Sequence, residues 1–176
     1  MGPVKPIEDI TVAEWDDTLA VNLRGMFLCC KHTIPVMKKQ GGGSIVNIGS
    51  LASLTALGRG HIAYSMAMGA VAQMTRELST EWAVHGVRVN AILCAQVTNP
   101  SLAKRMAVEP GLKDKFLSGI PRGRMGKPED IQGLAVFLAS DAAGYVTGTA
   151  GKWHLTTNAD GTTTLGGAVC PGKACS

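Results

Sequence analysis

A chain of 176 residues that is 45% hydrophobic and 17% charged has the size and composition of one globular α/β unit. Its net charge of +4 comes from 17 basic and 13 acidic residues scattered along the chain, without the Lys/Arg run that tracks nucleic-acid phosphates or an anionic membrane. No apolar run approaches the roughly 18 residues of a membrane span, and MGPVKPIEDI lacks the basic start and apolar middle of a signal peptide, so a cytoplasmic protein is expected, with neither nucleic acid nor membrane as partner. The five cysteines show no paired C-x-x-C spacing, which predicts reduced structural thiols and no metal site.

Thr11-Val-Ala-Glu14 reads as a capping box. Behind it Trp15, Leu19, Leu23, Phe27, Cys30, Ile34 and Met37 recur at helical spacing as far as Lys38-Lys39, predicting one long amphipathic helix. The glycines after Gln40 end it, and Ser44-Ile-Val-Asn-Ile48 follows as a short apolar run of β-branched residues, a buried strand. After a loop over 49–60, a second helix from about His61 places Ala67, Val71, Met74, Leu78 and Trp82 on one face and ends near Gly86. The strand Val87 to Leu93 comes next, then short helical pieces between Ser101 and Leu117, and a helix opened by Pro128-Glu-Asp130 that runs to about Ser140. After Gly148 the pattern dissolves into a Gly/Thr-rich stretch with room for one terminal strand.

Helix, strand, helix, strand with short connections implies a parallel sheet, but two strands make a poor one. The fold class is therefore α/β, the later strands and helices of a partial doubly wound sheet, with an unpaired strand edge that invites aggregation. Residues 1–150 form that partial domain and 151–176 a divergent tail. Two glycine motifs carry no nucleotide chemistry. Gly58-Arg-Gly60-His-Ile-Ala63 does not directly follow a strand, and Gly167 to Lys173 has Ala174 in the slot where Ser or Thr must hold a metal.

Five strings stand in order: Asp-Thr-Leu-Ala-Val-Asn22-Leu-Arg-Gly, Gly-Gly-Ser-Ile-Val-Asn-Ile-Gly-Ser50, Ala-Tyr64-Ser-Met-Ala, Gly-Val-Arg-Val-Asn90 and Gly-Arg-Met-Gly-Lys-Pro-Glu-Asp130. In this register the chain from Gly2 to Gly148 resembles the short-chain dehydrogenase/reductase family, without that family's N-terminal glycine-rich cofactor motif. The resemblance implies a Rossmann-like fold and an oxidoreductase that moves hydride between NAD or NADP and a small-molecule alcohol or carbonyl. It also implies roles. Ser50 would hydrogen-bond the substrate oxygen, Tyr64 would be the general acid/base and a cofactor contact, and Asn22 would support a water relay. Ala95, Val97, Thr98 and Asn99 would line the nicotinamide, Val97 through its backbone. The long helices 12–39 and 63–85 would pair with their copies in a homo-oligomer, a dimer or tetramer.

Two positions depart from the pattern. Met68 stands four residues after Tyr64, where the family places a lysine on the same helix face. A positive charge about 5 Å from a phenol is worth roughly 3 kcal/mol at an effective dielectric near 20, on the order of two pKa units. A thioether offers no charge and no hydrogen to a ribose hydroxyl. Cys94-Ala95 replaces the usual Pro-Gly, and the Ala95 methyl limits close backbone approach. The expected protein is thus an NAD(P)-dependent oxidoreductase chain that is truncated and weakly active or inactive. The alternative is a non-catalytic subunit of the same fold that acts through helix-mediated oligomerisation. Substrate specificity would reside in Leu51–His61 and Asn99–Pro121, whose charges taken alone name no ligand.

Overall fold

The computed structural model describes residues 2–148 and, as backbone alone, the strand segments 150–152, 156–157 and 163–164. The capping box forms as expected: the Glu14 N–H donates to Thr11 Oγ1 at 3.2 Å, and the Thr11 N–H donates to Glu14 Oε2 at 3.0 Å. The long helix it opens is not uniform. α1 (Val12–Leu19) passes into a π-turn over Ala20–Arg24 before α2 (Gly25–Lys39) continues. A stripe read as one uniform helix misses such a turn: it places Phe27 on the apolar face, whereas Phe27 is exposed and Met26 packs inward.

β1 (Gly43–Ser50) and β2 (Val87–Cys94) lie parallel, with Gly43 opposite Val87 and Ser50 opposite Cys94. α3 (Ile62–Trp82) connects them, and β3 (Ala150–Lys152) adds a third parallel strand beside β2. The order is β1-β2-β3, so β1 has one edge without a strand among the described residues. The predicted terminal strand is therefore present in part. Strands β4 (Thr156–Thr157) and β5 (Thr163–Thr164) form a separate antiparallel pair. The motif at 167–173 and Cys170 and Cys175 lie outside the described residues.

Alternation along the strands builds a layer on each face. Val87 and Val89 pack with Cys30, Ile34, Met74 and Trp82 of α2 and α3. Val46 and Ile92 face the other way, onto Ile131, Leu134 and Leu138 of α6 (Glu129–Ala139). A buried polar bridge runs through the first layer. Asn47 Nδ2 donates to Thr75 Oγ1 at 3.0 Å, and Thr75 Oγ1 donates to the Val71 carbonyl at 2.9 Å.

At the amino ends of the strands the backbone closes tightly. Gly86 has φ 72°, and a Cβ there would lie 2.8 Å from the Gly41 carbonyl oxygen, so only glycine fits both constraints. Ser44 Oγ and Arg88 Nη1 both donate to the Leu138 carbonyl at 2.8 Å, and Arg88 Nη2 donates to the Ser140 carbonyl at 3.0 Å. These bonds satisfy carbonyls at the C-terminal end of α6, where a guanidinium also suits the helix dipole.

Candidate active site

The opposite, carboxyl ends of the strands carry the candidate residues. Ser50 is the last residue of β1, and its Oγ accepts the Ala52 N–H at 3.2 Å, which leaves its own O–H able to donate. The turn Leu51–Ser53 then docks on α3. Ala52 packs against Met68 and Val71, and Ser53 Oγ donates to the Met68 carbonyl at 2.7 Å. Tyr64 lies in the first turn of α3, whose start faces the strands' carboxyl edge because α3 runs back between two parallel strands. Sequence-distant Ser50 and Tyr64 are thereby brought to one rim.

Asn22 reaches the same neighbourhood through the π-turn. Its Nδ2 donates to the Thr18 carbonyl at 2.8 Å, and Leu23 and Met26 beside it pack into the cluster that holds Tyr64. A π-turn of this kind frequently marks a functional site. Met68 is 4% exposed and belongs to this cluster as an apolar member. Among the described residues Tyr64 has no hydrogen-bond or ion-pair partner, so nothing has taken over the missing ammonium.

After β2 the chain enters the segment expected to meet the nicotinamide. The Gly126 N–H donates to the Gln96 carbonyl at 2.9 Å, and the Thr98 N–H donates to the Gly126 carbonyl at 2.8 Å. This parallel bridge leaves the N–H and C=O of Val97 facing the other side, with no partner among the described residues. One free donor and one free acceptor on adjacent backbone atoms match a carboxamide, so the segment fits the nicotinamide end of NAD(P). Asn99, expected in the same lining, has its Oδ1 engaged by the Leu102 N–H at 2.9 Å and caps α4 (Pro100–Val108). Ala95 is half-buried at the start of the segment.

Gly126 is held in place by a bidentate ion pair nearby. Arg124 contacts both carboxylate oxygens of Asp130 at 2.6 and 2.8 Å, and the Lys127 N–H donates to the same carboxylate at 2.8 Å. These bonds keep the Asp130 carboxyl well below the usual carboxylate range. The Gly-Arg-Met-Gly-Lys-Pro-Glu-Asp130 string is thus a clamp whose product is the position of Gly126.

His61 was not singled out by sequence, although its place three residues before Tyr64 puts both on one helix face. The two rings meet edge to face with centroids 6.4 Å apart, and His61 Nδ1 is buried without a hydrogen-bond partner. Burial, then the charges of Arg59 and Arg105, lower the imidazole's pKa. Burial raises that of the Cys94 thiol, so it stays protonated. Cys29, Cys30 and Cys94 are free thiols, and no cluster of three or more metal-binding side chains occurs among the described residues.

Comparison with known proteins accords with this geometry. A family model described as enoyl-(acyl carrier protein) reductase matches residues 1–151. An uncharacterized oxidoreductase of Thermotoga maritima is 38% identical over 149 residues, 83% of this chain and 59% of that protein. The galactitol 2-dehydrogenase of Cereibacter sphaeroides is 42% identical over 138 residues, 77% of this chain and 54% of that protein. The crystal structure of a Burkholderia cenocepacia gluconate 5-dehydrogenase in complex with NADP and tartrate superposes with a TM-score of 0.82 at 26% identity, over 88% of this chain and 60% of that one. The chain therefore spans little more than half the length of these relatives. It belongs to the short-chain dehydrogenase/reductase family and carries that family's oxidoreductase architecture from β1 through β3.

Proposed function

We propose that this chain supplies the catalytic half of an NAD(P)-dependent oxidoreductase that interconverts a small alcohol and its carbonyl. The observation that carries this reading is that Ser50 ends β1, Tyr64 lies in the first turn of α3 and Val97 follows β2, all toward the carboxyl edge of the sheet, where open α/β folds place their ligands. Relatives named for galactitol and gluconate point to a hydroxylated small molecule.

Ser50 donates its O–H to the substrate oxygen and holds it toward Tyr64. Tyr64 takes the hydroxyl proton when an alcohol is oxidised and returns it to the carbonyl oxygen in the reverse direction. Asn22, fixed by its bond to Thr18, supports the water that connects this proton to solvent. A bound nicotinamide would accept or supply the hydride, held at its carboxamide by the Val97 backbone with Ala95, Thr98 and Asn99 beside it. Met68 leaves the phenol without a stabilising cation, so turnover is slow. The exposed Val21, Phe27, Leu28 and Val36 of the π-turn and α2 suit pairing with a second copy in a homo-oligomer.

The test is a chimera that joins the preceding half of the galactitol enzyme to this chain. It should oxidise an alcohol with NAD or NADP, and Tyr64→Phe should slow it by at least about 10²-fold with an unchanged melting temperature. A Tyr64→Phe chimera as fast as its parent would refute the assignment.

A further inference from the structure

The loop after β1 and the helices that follow β2 come from distant parts of the chain, and each carries an arginine. Arg59, in the loop after β1, lies with its guanidinium 5.0 Å from the centroid of the Phe116 ring in α5 (Leu112–Leu117). The contact bridges the two segments expected to set specificity. Arg59 is half-buried and has no carboxylate partner among the described residues. Arg105 of α4 is the second cation, and its Nη2 meets Glu109 Oε2 at 3.2 Å one turn further on. Both charges act on His61, which sits edge-on to Tyr64 and has a buried, unpartnered Nδ1.

We propose that Arg59, with Arg105 and His61, forms a subsite for a substrate carboxylate, so that the alcohol or carbonyl handled at Tyr64 belongs to a hydroxy or keto acid. The proposal rests on the assignment of Ser50 and Tyr64 given above. Charge selects the anion. Arg105 is already paired with Glu109, which leaves the Arg59 guanidinium as the cation open to a ligand. A carboxylate balances that single charge, whereas a phosphate dianion would be left with an excess. Geometry agrees. A guanidinium that contacts the Phe116 ring and has no carboxylate partner among the described residues keeps N–H groups for a two-pronged bond, the mode in which arginine recognises carboxylates. The unpartnered His61 nitrogen offers a further polar contact, on a ring that meets the Tyr64 ring edge to face.

The test requires no turnover. The full chain is titrated with glycerate, glycerol and glycerol 3-phosphate, which share a hydroxylated three-carbon skeleton. Binding is read from the imidazole NMR signal that disappears in His61→Asn. Glycerate should bind at least about tenfold more tightly than glycerol, and Arg59→Gln should weaken it by a similar factor. Glu109→Gln, on an exposed helix face, releases Arg105 and should tighten glycerate binding about threefold, a gain that a merely structural role for these charges would not produce. Equal affinity for glycerate and glycerol, or glycerate affinity unmoved by both substitutions, would overturn the subsite. A tenfold preference for glycerol 3-phosphate over glycerate would overturn the carboxylate assignment. Failure of the hydride-transfer reading looks different: the chimera shows no nicotinamide-dependent turnover while the isolated chain still binds glycerate.

Discussion

The two ends of the β-strands treat polar groups in opposite ways. At the amino ends, Gly43 N–H, Ser44 Oγ and Arg88 donate to backbone carbonyls of Gly86, Leu138 and Ser140, and the glycine backbones at 42 and 86 nearly touch. At the carboxyl ends, Tyr64, His61 Nδ1, the Arg59 guanidinium and the Val97 backbone lack hydrogen-bond and ion-pair partners among the described residues. Buried or half-buried polar groups left unpaired are costly, and a ligand at this edge would satisfy them. One end stabilises the sheet, and the other carries the proposed site.

Substitutions should separate these roles. Gly86→Val forces a β-branched residue into φ 72° against the Gly41 carbonyl and should cost about 3 kcal/mol in a denaturant melt, with ligand affinity unchanged in the folded fraction. A loss below about 0.5 kcal/mol would mean that the amino edge is not the structural end.

Met68→Lys sharpens the other side of the comparison. In the chimera it should raise turnover at least about tenfold, equivalent to roughly 1.4 kcal/mol. In the isolated chain the same change should lower stability by about 1–3 kcal/mol, because Met68 is 4% exposed within an apolar cluster. Equal turnover with Met68 and with lysine would remove the electrostatic account of this position.

Two smaller effects depend on pH. The Asp130 carboxyl is held below its usual value by Arg124 and the Lys127 N–H, so its contribution to stability is present above the unfolded value of 3.8 and fades as pH falls further. Asp130→Asn should therefore lower the melting temperature at pH 6, with the difference shrinking below about pH 4. For His61 the folded value lies below 6.5, so the unfolded chain takes the proton first as pH drops. The parent should lose stability relative to His61→Asn from about pH 6.5 downward, and parallel pH profiles would contradict the burial of that imidazole.

What the sequence revealed follows the range of each interaction. The Thr11 and Glu14 capping box joins residues three apart, and the strand around Ile45 to Ile48 announces itself through β-branched side chains, so both are legible locally. Pro128 marks the start of α6 in the same way, although it serves as the cap and Glu129 is the first helical residue. Ser50, Tyr64 and Asn22 could be named only through the family's five strings, because nothing local distinguishes a catalytic serine from a turn former. The Val97–Gly126 bridge and the Arg59–Phe116 contact join residues far apart in the chain, and no periodicity encodes them. Asn99 shows the converse. Its position before Pro100 is a local N-cap signal, which the structure realises alongside any role at the nicotinamide.

The central claim is that the carboxyl edge of this sheet is built to receive a nicotinamide. A titration of the ¹⁵N-labelled chain with nicotinamide mononucleotide tests it directly, since that ligand carries the half of the cofactor expected to lie on these residues. Amide shifts should concentrate at Ala95, Val97 and Thr98 and near Ser50 and Tyr64, with Gly42 and Gly86 unmoved. Shifts confined to the amino edge, or an unresponsive Val97 at saturating ligand, would contradict the account.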